Sequence, residues 1–318
     1  MKTALVTGAS GFVGRALCES LVKQGVQVHA VVRDARRAPD QTQPFCINDI
    51  REFVEWEDRL ADVEVVFHLA GLAHQVRLGK LDQHSQQLDI MCAFNVVPTR
   101  RLAQAAEKAG VKRFVYVSSI KVNGEQTQNQ AFCEQDTPCP EDAYGQSKWM
   151  AEQALESVDV ETVIIRPPLV YGEGVKGNFL SLLKLCDTFV PLPFSCIRNQ
   201  RSLIYLQNLV DALCLCAHHP NAANKVFLVK DGMDTMTVDL VKGMRQCLGR
   251  FTGLFPLPAT VLKTVFRLMG RSIVWEKFSG SLQVNDDQIR GLLGWTPPFS
   301  LTQGLQNTVR WYQNAQEK

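Results

Sequence analysis

Net charge is nearly absent from this chain. Its 34 lysines and arginines stand against 32 aspartates and glutamates, leaving +2. Without a broad basic field, nucleic acid is not an expected partner. Paired cysteine spacing is also missing. The ten cysteines (18, 46, 92, 133, 139, 186, 196, 214, 216 and 247) show no metal-ligand or framework pattern, and most sit in apolar runs. They read as reduced thiols acting as small hydrophobes, so neither disulfides nor a metal is expected. No uncharged apolar run reaches the length of a membrane span. The nearest, Phe251 to Met269, carries Lys263 and Arg267 and is broken by Pro256 and Pro258. It reads as a helix packed in a C-terminal lobe, and membrane contact is not expected. A strand-like Lys2–Val6 begins at once and leaves no room for a leader, so a cytoplasmic location is expected. Repeats and low-complexity tracts are missing as well.

What is present is an alternation. Ala4–Val6, Val26–Val32, Val63–Phe67, Phe114–Val117 and Thr162–Ile165 are short β-branched runs of the kind buried in parallel strands. Between them lie helix-period stretches, such as Val13, Leu17 and Leu21 closed by Gly25, and Val96–Ala109 closed by Gly110. Strand alternating with helix predicts an α/β fold with a parallel sheet covered on both faces. After Pro167–Pro168 the rhythm turns irregular, and one further run, residues 225–229, could return to the sheet. The expected organisation is a nucleotide-binding domain over 1–170 and a smaller, partly interleaved substrate lobe over 171–318.

Directly after the first strand comes Thr7-Gly8-Ala9-Ser10-Gly11-Phe12-Val13-Gly14. Gly8 permits a tight turn, Gly11 lets backbone approach a pyrophosphate, and Gly14 lets helix pack on strand. The free N–H groups and positive end of the following helix then face the phosphates. A strand before the loop and a helix after it predict a Rossmann-type dinucleotide site. The second strand ends at Arg33, where NAD-specific folds usually place an acidic residue to accept from the ribose 2′-hydroxyl. Arginine cannot accept, but its fork suits the 2′-phosphate of NADP, and Arg36 and Arg37 could share that charge. NADP(H) is therefore the preferred cofactor, with NAD(H) possible.

Tyr144 and Lys148 lie four residues apart, on one face of a helix. A free phenol titrates near 10 and is a poor acid or base at neutral pH. An ammonium one turn away, together with a positive nicotinamide, is expected to favour the phenolate and bring it toward working range.

Together with Asp49-Ile50, His68-Leu69-Ala70-Gly71, Asn95 to Thr99, Val117-Ser118-Ser119, Arg166-Pro167-Pro168 and Leu293 to Pro297, these motifs make the chain resemble the extended short-chain dehydrogenase/reductases. The group within them is that of the nucleotide-sugar epimerases and dehydratases, and the resemblance spans nearly the whole chain. It implies that Ser119 assists Tyr144 at the sugar oxygen, that Ser118 contacts the cofactor by its backbone, and that Lys148 also holds the nicotinamide ribose. It adds Asp49, Ile50, Leu69, Ala70, Gly71, Asn95 and Pro167 to the cofactor set. It places Ser119, Lys121, Asn178 and Arg201 against the substrate, Arg201 as the grip on a nucleotide diphosphate. Pro98 stands where the family usually has glycine, and a slight bend inside that helix is expected. An arginine-bearing ribose segment common in the family is not found, since Trp275 to Asn285 holds no arginine.

The family's dehydratases carry an Asp-Glu pair after the Ser/Thr. Here Ile120 and Lys121 fill those places, and neither can serve as that acid/base pair. Two reactions remain on a UDP-sugar. Arg33 favours reduction with NADPH, and the resemblance of Pro167 to Gly172, Lys176 to Phe179 and Asn199 to Ser202 to bacterial 4-ketoreductases implies reduction of a UDP-4-keto-6-deoxy-hexosamine at C4. That is the chemistry of the bacterial reductases that make UDP-N-acetylquinovosamine for surface polysaccharide. The alternative is a UDP-sugar 4-epimerase of the UDP-glucose or UDP-GlcNAc type, and a lesser one is a catalytically silent NADP-sensing regulator. The resemblance also implies a homodimer through a helical pair.

Overall fold

The computed structural model describes residues 1–52, 54–73, 83–270 and 272–316. Its strands are β1 (Thr3–Thr7), β2 (Gln27–Val32), β3 (Gln43–Cys46), β4 (Val65–His68), β5 (Arg113–Val117), β6 (Glu161–Arg166), β7 (Leu169–Tyr171), β8 (Leu203–Tyr205) and β9 (Lys225–Leu228). The helices of the first half are α1 (Phe12–Lys23), α2 (Glu57–Leu60), α3 (Gln83–Asn95), α4 (Val97–Lys108) and α5 (Ala143–Leu155). Those that follow are α6 (Gly177–Cys186), α7 (Leu206–His218), α8 (Thr237–Cys247), α9 (Ala259–Leu268), α10 (Ser272–Ser279), α11 (Asp287–Leu293) and α12 (Leu301–Gln316).

Seven strands pair in the order β3-β2-β1-β4-β5-β6-β9, every neighbouring pair parallel. Side-chain alternation on β1 explains the two covered faces. Ala4 and Val6 point into one core with Leu17 and Leu21 of α1 and Leu209 and Leu213 of α7. Leu5 points into the other, with Leu102 of α4 and Leu155 of α5. A leucine buried in this way is worth about 2–5 kcal/mol over alanine. Chain order reverses between β1 and β4, so the crevice beyond their carboxyl ends is where this topology binds ligands.

Two features depart from the sequence reading. β3 escapes it because Gln43-Pro44-Phe45-Cys46 is a short, mostly exposed edge strand with no apolar run. Pro98, expected to bend a continuous helix slightly, instead lies at a break between two helices. The helical pattern breaks after Asn95, α4 restarts at Val97, and Pro98 occupies its first turn, where proline is best tolerated.

Beyond β6, β7 and β8 form a small parallel sheet of their own. Bridges from Arg201 to Thr235 and Leu282, and from Phe132 to Val284, stitch the later chain onto the core. The Leu293–Trp295 segment turns on Gly294 at φ 66°, and the buried Trp295 indole donates to Asp211 of α7 at 2.9 Å. Among the described residues no helix is long and apolar enough to cross a membrane.

Candidate active site

The loop after β1 is packed on itself. Gly8 has φ +68°, and its carbonyl accepts from Gly11 N at 2.9 Å. A Cβ on Gly14 would lie 2.2 Å from Gly8 O, and one on Gly8 would lie 2.9 Å from Ala70 N. Backbone occupies both directions, so only glycine fits at either position. Gly11 is the N-cap of α1 with no side-chain cap, and Ser10 and Gly11 are exposed while Phe12 and Val13 are half-buried. The uncapped first N–H groups of α1 are therefore open to an anion.

Behind the loop runs a buried relay that sequence reading missed. Register pairs Thr7 with His68 across β1 and β4. Leu69 N and Ala70 N both donate to Thr7 Oγ1, at 3.2 and 3.1 Å. Thr7 Oγ1 meets His68 Nδ1 at 2.7 Å, His68 Nε2 meets Thr99 Oγ1 at 2.9 Å, and Thr99 Oγ1 donates to Asn95 O at 2.6 Å. With the Thr99 proton committed to Asn95, the consistent pattern has Thr7 donating to Nδ1 and Nε2–H donating to Thr99. Complete burial pushes His68 down to about 3, with the Lys148 charge adding to the effect, so the ring is neutral.

Asn95 stands between two parts of the site. Its Oδ1 accepts from Leu72 N at 2.7 Å, and its Nδ2 donates to Leu72 O at 3.2 Å and to Ser147 Oγ at 2.9 Å. The Ser147 hydroxyl donates in turn to Tyr144 O at 2.8 Å. The Asn95 amide, expected among the cofactor residues, thus binds the 69–72 loop to α5. A Cβ on Gly71 would come within 2.9 Å of Asn95 Oδ1 and 3.9 Å of Lys148 Nζ.

Asp142 caps α5 through Gly145 N at 2.8 Å, which sets Tyr144 and Lys148 in its first turns. Burial pushes the Tyr144 phenol up to about 12. A hydrogen bond with Ser119 and the charge of Lys121 pull it the other way. Lys148 Nζ donates to Val117 O at 2.7 Å and lies 4.3 Å above the Tyr116 ring. Burial pushes its ammonium down to about 7, opposed by Glu152. The sharpening of Tyr144 expected from Lys148 does not appear: burial dominates, and the cation that offsets it in part is Lys121, 6.0 Å from the ring centre. Glu152 meets Arg166 at 2.6 Å in a fully buried ion pair, and Arg166 also donates to Asn123 Oδ1 at 3.0 Å, which fastens α5 to the end of β6. Ser118 N donates to Ile165 O at 2.7 Å, while its buried Oγ has no partner among the described residues. Pro167 is buried, and its carbonyl accepts from Ile120 N at 3.0 Å. The glycine cradle, the open helix end and the orphaned Ser118 hydroxyl all fit a dinucleotide.

At the far end of this groove Arg33 follows β2 directly and is exposed, with no ion pair among the described residues. Asp34 beside it caps the next turn through Arg36 N at 3.0 Å and holds the Arg36 guanidinium at 2.8 Å. Arg36, expected to share a phosphate, is engaged there. Asp49 and Ile50 are half-buried. Asp49 holds Arg51 at 2.5 Å and is kept below the usual carboxylate range by that bond.

Ser119 and Tyr144 open onto a cavity of about 630 Å³, into which Lys121, Asn178 and Arg201 also face. Lys121 meets Glu125 at 2.6 Å and also pairs with Asp142. Asn178 is exposed in the first turn of α6. Arg201 donates to the carbonyls of Lys277 and Gly280, at 3.0 and 3.1 Å, and has no carboxylate partner among the described residues. Lys277 lines the same cavity, 3.6 Å from Glu125. No motif marks it, so sequence reading passed over the one cation in the segment where an arginine was sought. Much of the remaining wall is apolar, including Leu182, Leu185, Phe194 and Phe266. Among the described residues no group of His, Cys, Asp and Glu could hold a metal.

The model of the NAD dependent epimerase/dehydratase family matches residues 4–229. A UDP-glucose 4-epimerase of Vibrio cholerae is 39% identical over 324 residues, covering 100% of this chain and 97% of that protein. An Escherichia coli O157:H7 N-acetyl-alpha-D-glucosaminyl-diphospho-ditrans,octacis-undecaprenol 4-epimerase is 27% identical over 96% of this chain and 94% of its own. Among solved structures, a UDP-glucuronic acid 4-epimerase from Bacillus cereus in complex with NAD superposes with a TM-score of 0.77 at 20% identity, covering 98% of this chain and 99% of that one. At that identity the superposition speaks for the fold alone.

Proposed function

Because the chain belongs to the NAD dependent epimerase/dehydratase family, we propose that it is a UDP-hexose 4-epimerase. This departs from the 4-ketoreductase favoured by the sequence, and the full-length likeness to the Vibrio cholerae epimerase carries the choice. Support from geometry is the sharing of one cavity by Ser119, Tyr144 and Arg201. Arg201, with no carboxylate partner, suits a sugar diphosphate, and Lys277 adds a second cation for it.

Gly8 to Gly14, the N-terminus of α1, the 69–71 backbone, Ser118 and Lys148 would hold the nicotinamide dinucleotide. When bound, that group supplies the hydride acceptor and donor. Tyr144 takes the proton of the C4 hydroxyl as the alcohol becomes a ketone, and returns it after the sugar has turned its other face. Ser119 donates to the same oxygen and holds it in register. Burial holds the Tyr144 phenol up at about 12 and the Lys148 ammonium down at about 7. Alcohol oxidation requires the phenolate, which a cationic nicotinamide beside the phenol and the charge of Lys121 would favour.

A second reading, NADPH-linked 4-ketoreduction, is supported by Arg33, which is exposed and unpaired while Asp34 is engaged by Arg36. One experiment separates them. UDP-glucose and UDP-GlcNAc, each with NAD, should yield their C4 epimers by NMR with no net change in cofactor absorbance. Consumption of NADPH with UDP-4-keto-6-deoxy-GlcNAc and no isomer from either UDP-sugar would hand the site to reduction.

A further inference from the structure

Nine of the fourteen large hydrophobic side chains exposed among the described residues fall in two short stretches, residues 185–190 and 251–269. The rest of the surface carries such residues singly, which needs no explanation, but a cluster of this size does. The two stretches form one surface. Arg245, fully buried, donates to Phe251 O at 2.5 Å and to Val190 O at 3.3 Å. Phe255 N donates to Leu192 O at 3.1 Å. This scaffold presents Phe189 (80% exposed) and Phe251 (71% exposed) at the tips.

α9 continues the surface. Leu262 and Phe266 face inward, Leu262 into the core and Phe266 against Trp275 and the cavity. Val261, Val265 and Leu268, spaced i, i+4, i+7, form a separate outward stripe that ends in Leu268 at 83% exposure. Lys263 and Arg267 occupy the remaining side, both exposed and without a carboxylate partner among the described residues. From Arg250 to Trp275 the sequence holds four basic residues (Arg250, Lys263, Arg267 and Arg271) and no acidic one. Arg250 is balanced by Asp187 at 2.8 Å, so the free charge of the described face is positive.

We propose that this face, α9 with the Phe189 and Phe251 tips, docks on an anionic lipid bilayer surface. An outward apolar stripe backed by unpaired basic side chains is the pattern of a helix that lies in the headgroup plane. Anionic headgroups supply the charge these cations lack, and the exposed phenylalanine tips supply apolar area for the acyl boundary. The surface also runs into the cavity, since Leu185 is both a wall of it and 39% exposed. Docking here sets the entrance to Tyr144 and Ser119 close to the membrane. The proposal stands on this surface and is independent of which sugar reaction the site performs.

The test is co-sedimentation of the full chain with sucrose-loaded vesicles, either pure phosphatidylcholine or equal parts phosphatidylcholine and phosphatidylglycerol. Wild type should bind the anionic vesicles about tenfold or more better than the neutral ones, and added salt should erode the difference. The Phe251→Asp/Leu268→Asp variant should lose about tenfold in bound fraction while its thermal melt and UDP-sugar turnover stay unchanged. If that variant folds poorly, Lys263→Glu/Arg267→Glu decides, because it should abolish the anionic preference. Failure of wild type to bind either vesicle overturns the proposal, as does equal binding by wild type and a folded variant. So does a dimer in sedimentation velocity that Phe251→Asp/Leu268→Asp dissolves without any vesicle binding, which would make a second copy the occupant.

Discussion

On the sheet side of the cleft, polar groups are fixed by short, directed bonds. Thr7, His68, Thr99 and Asn95 form one chain, and Asn95 passes it on to Ser147 and Tyr144 O. On the lobe side the cavity wall is largely apolar, and its few charges, Arg201 and Lys277, rest on α10 and Glu125. The first wall is assembled before any ligand arrives, as proton transfer at a single oxygen requires. The second offers charge and apolar shape with few directed bonds, and under the proposed function it is the wall that would hold the sugar diphosphate.

Substitutions on the two walls should therefore fail differently. On the sheet side, Tyr144→Phe should cut kcat by about a thousandfold or more while leaving dinucleotide affinity within about twofold, measured by steady-state kinetics and by fluorescence titration. On the lobe side, Arg201→Ala should raise KM by about 10- to 100-fold with kcat within a few-fold. A matching fall in kcat would mean that the two walls do not divide the work. The relay has an acid signature. His68 is held down to about 3 in the fold against 6.5 when unfolded, so the unfolded chain binds the extra proton first as pH falls. Stability from this ring is complete above pH 6.5 and falls by about 1.4 kcal/mol per unit between 6.5 and 3. Denaturant titrations should show that slope, and His68→Gln should flatten it. The smallest effect is expected at the groove's rim, where Arg33→Asp should shift the NADP:NAD preference about tenfold toward NAD. A wild type that already prefers NAD would remove the case for reduction.

The sequence displayed the parts of the site that are contiguous. Gly8 to Gly14 and the Tyr144/Lys148 pair are local patterns whose geometry follows from a turn or a helix repeat. The relay was hidden because its members are joined by register, Thr7 lying 61 residues from His68 and His68 lying 31 from Thr99. Lys277 belongs to no motif, and its place at the cavity depends on how α10 returns to Arg201. The Lys121 effect on Tyr144 required seeing that Lys148 donates to Val117 O and that its Nζ sits over another ring. α9 was read as packed in the lobe, and among its described residues only Leu262 is buried.

One side-chain amide couples two motions. Asn95 grips both partners of Leu72 and also Ser147, so the loop beneath the dinucleotide and the helix bearing the phenol cannot shift separately. Residues 69–72 are linked to the Tyr144 carbonyl by three successive steps, Leu72 to Asn95, Asn95 to Ser147 and Ser147 to Tyr144 O. A single amide thus ties the backbone at the head of the glycine-loop groove to the first turn of α5, and replacing it would free both at once.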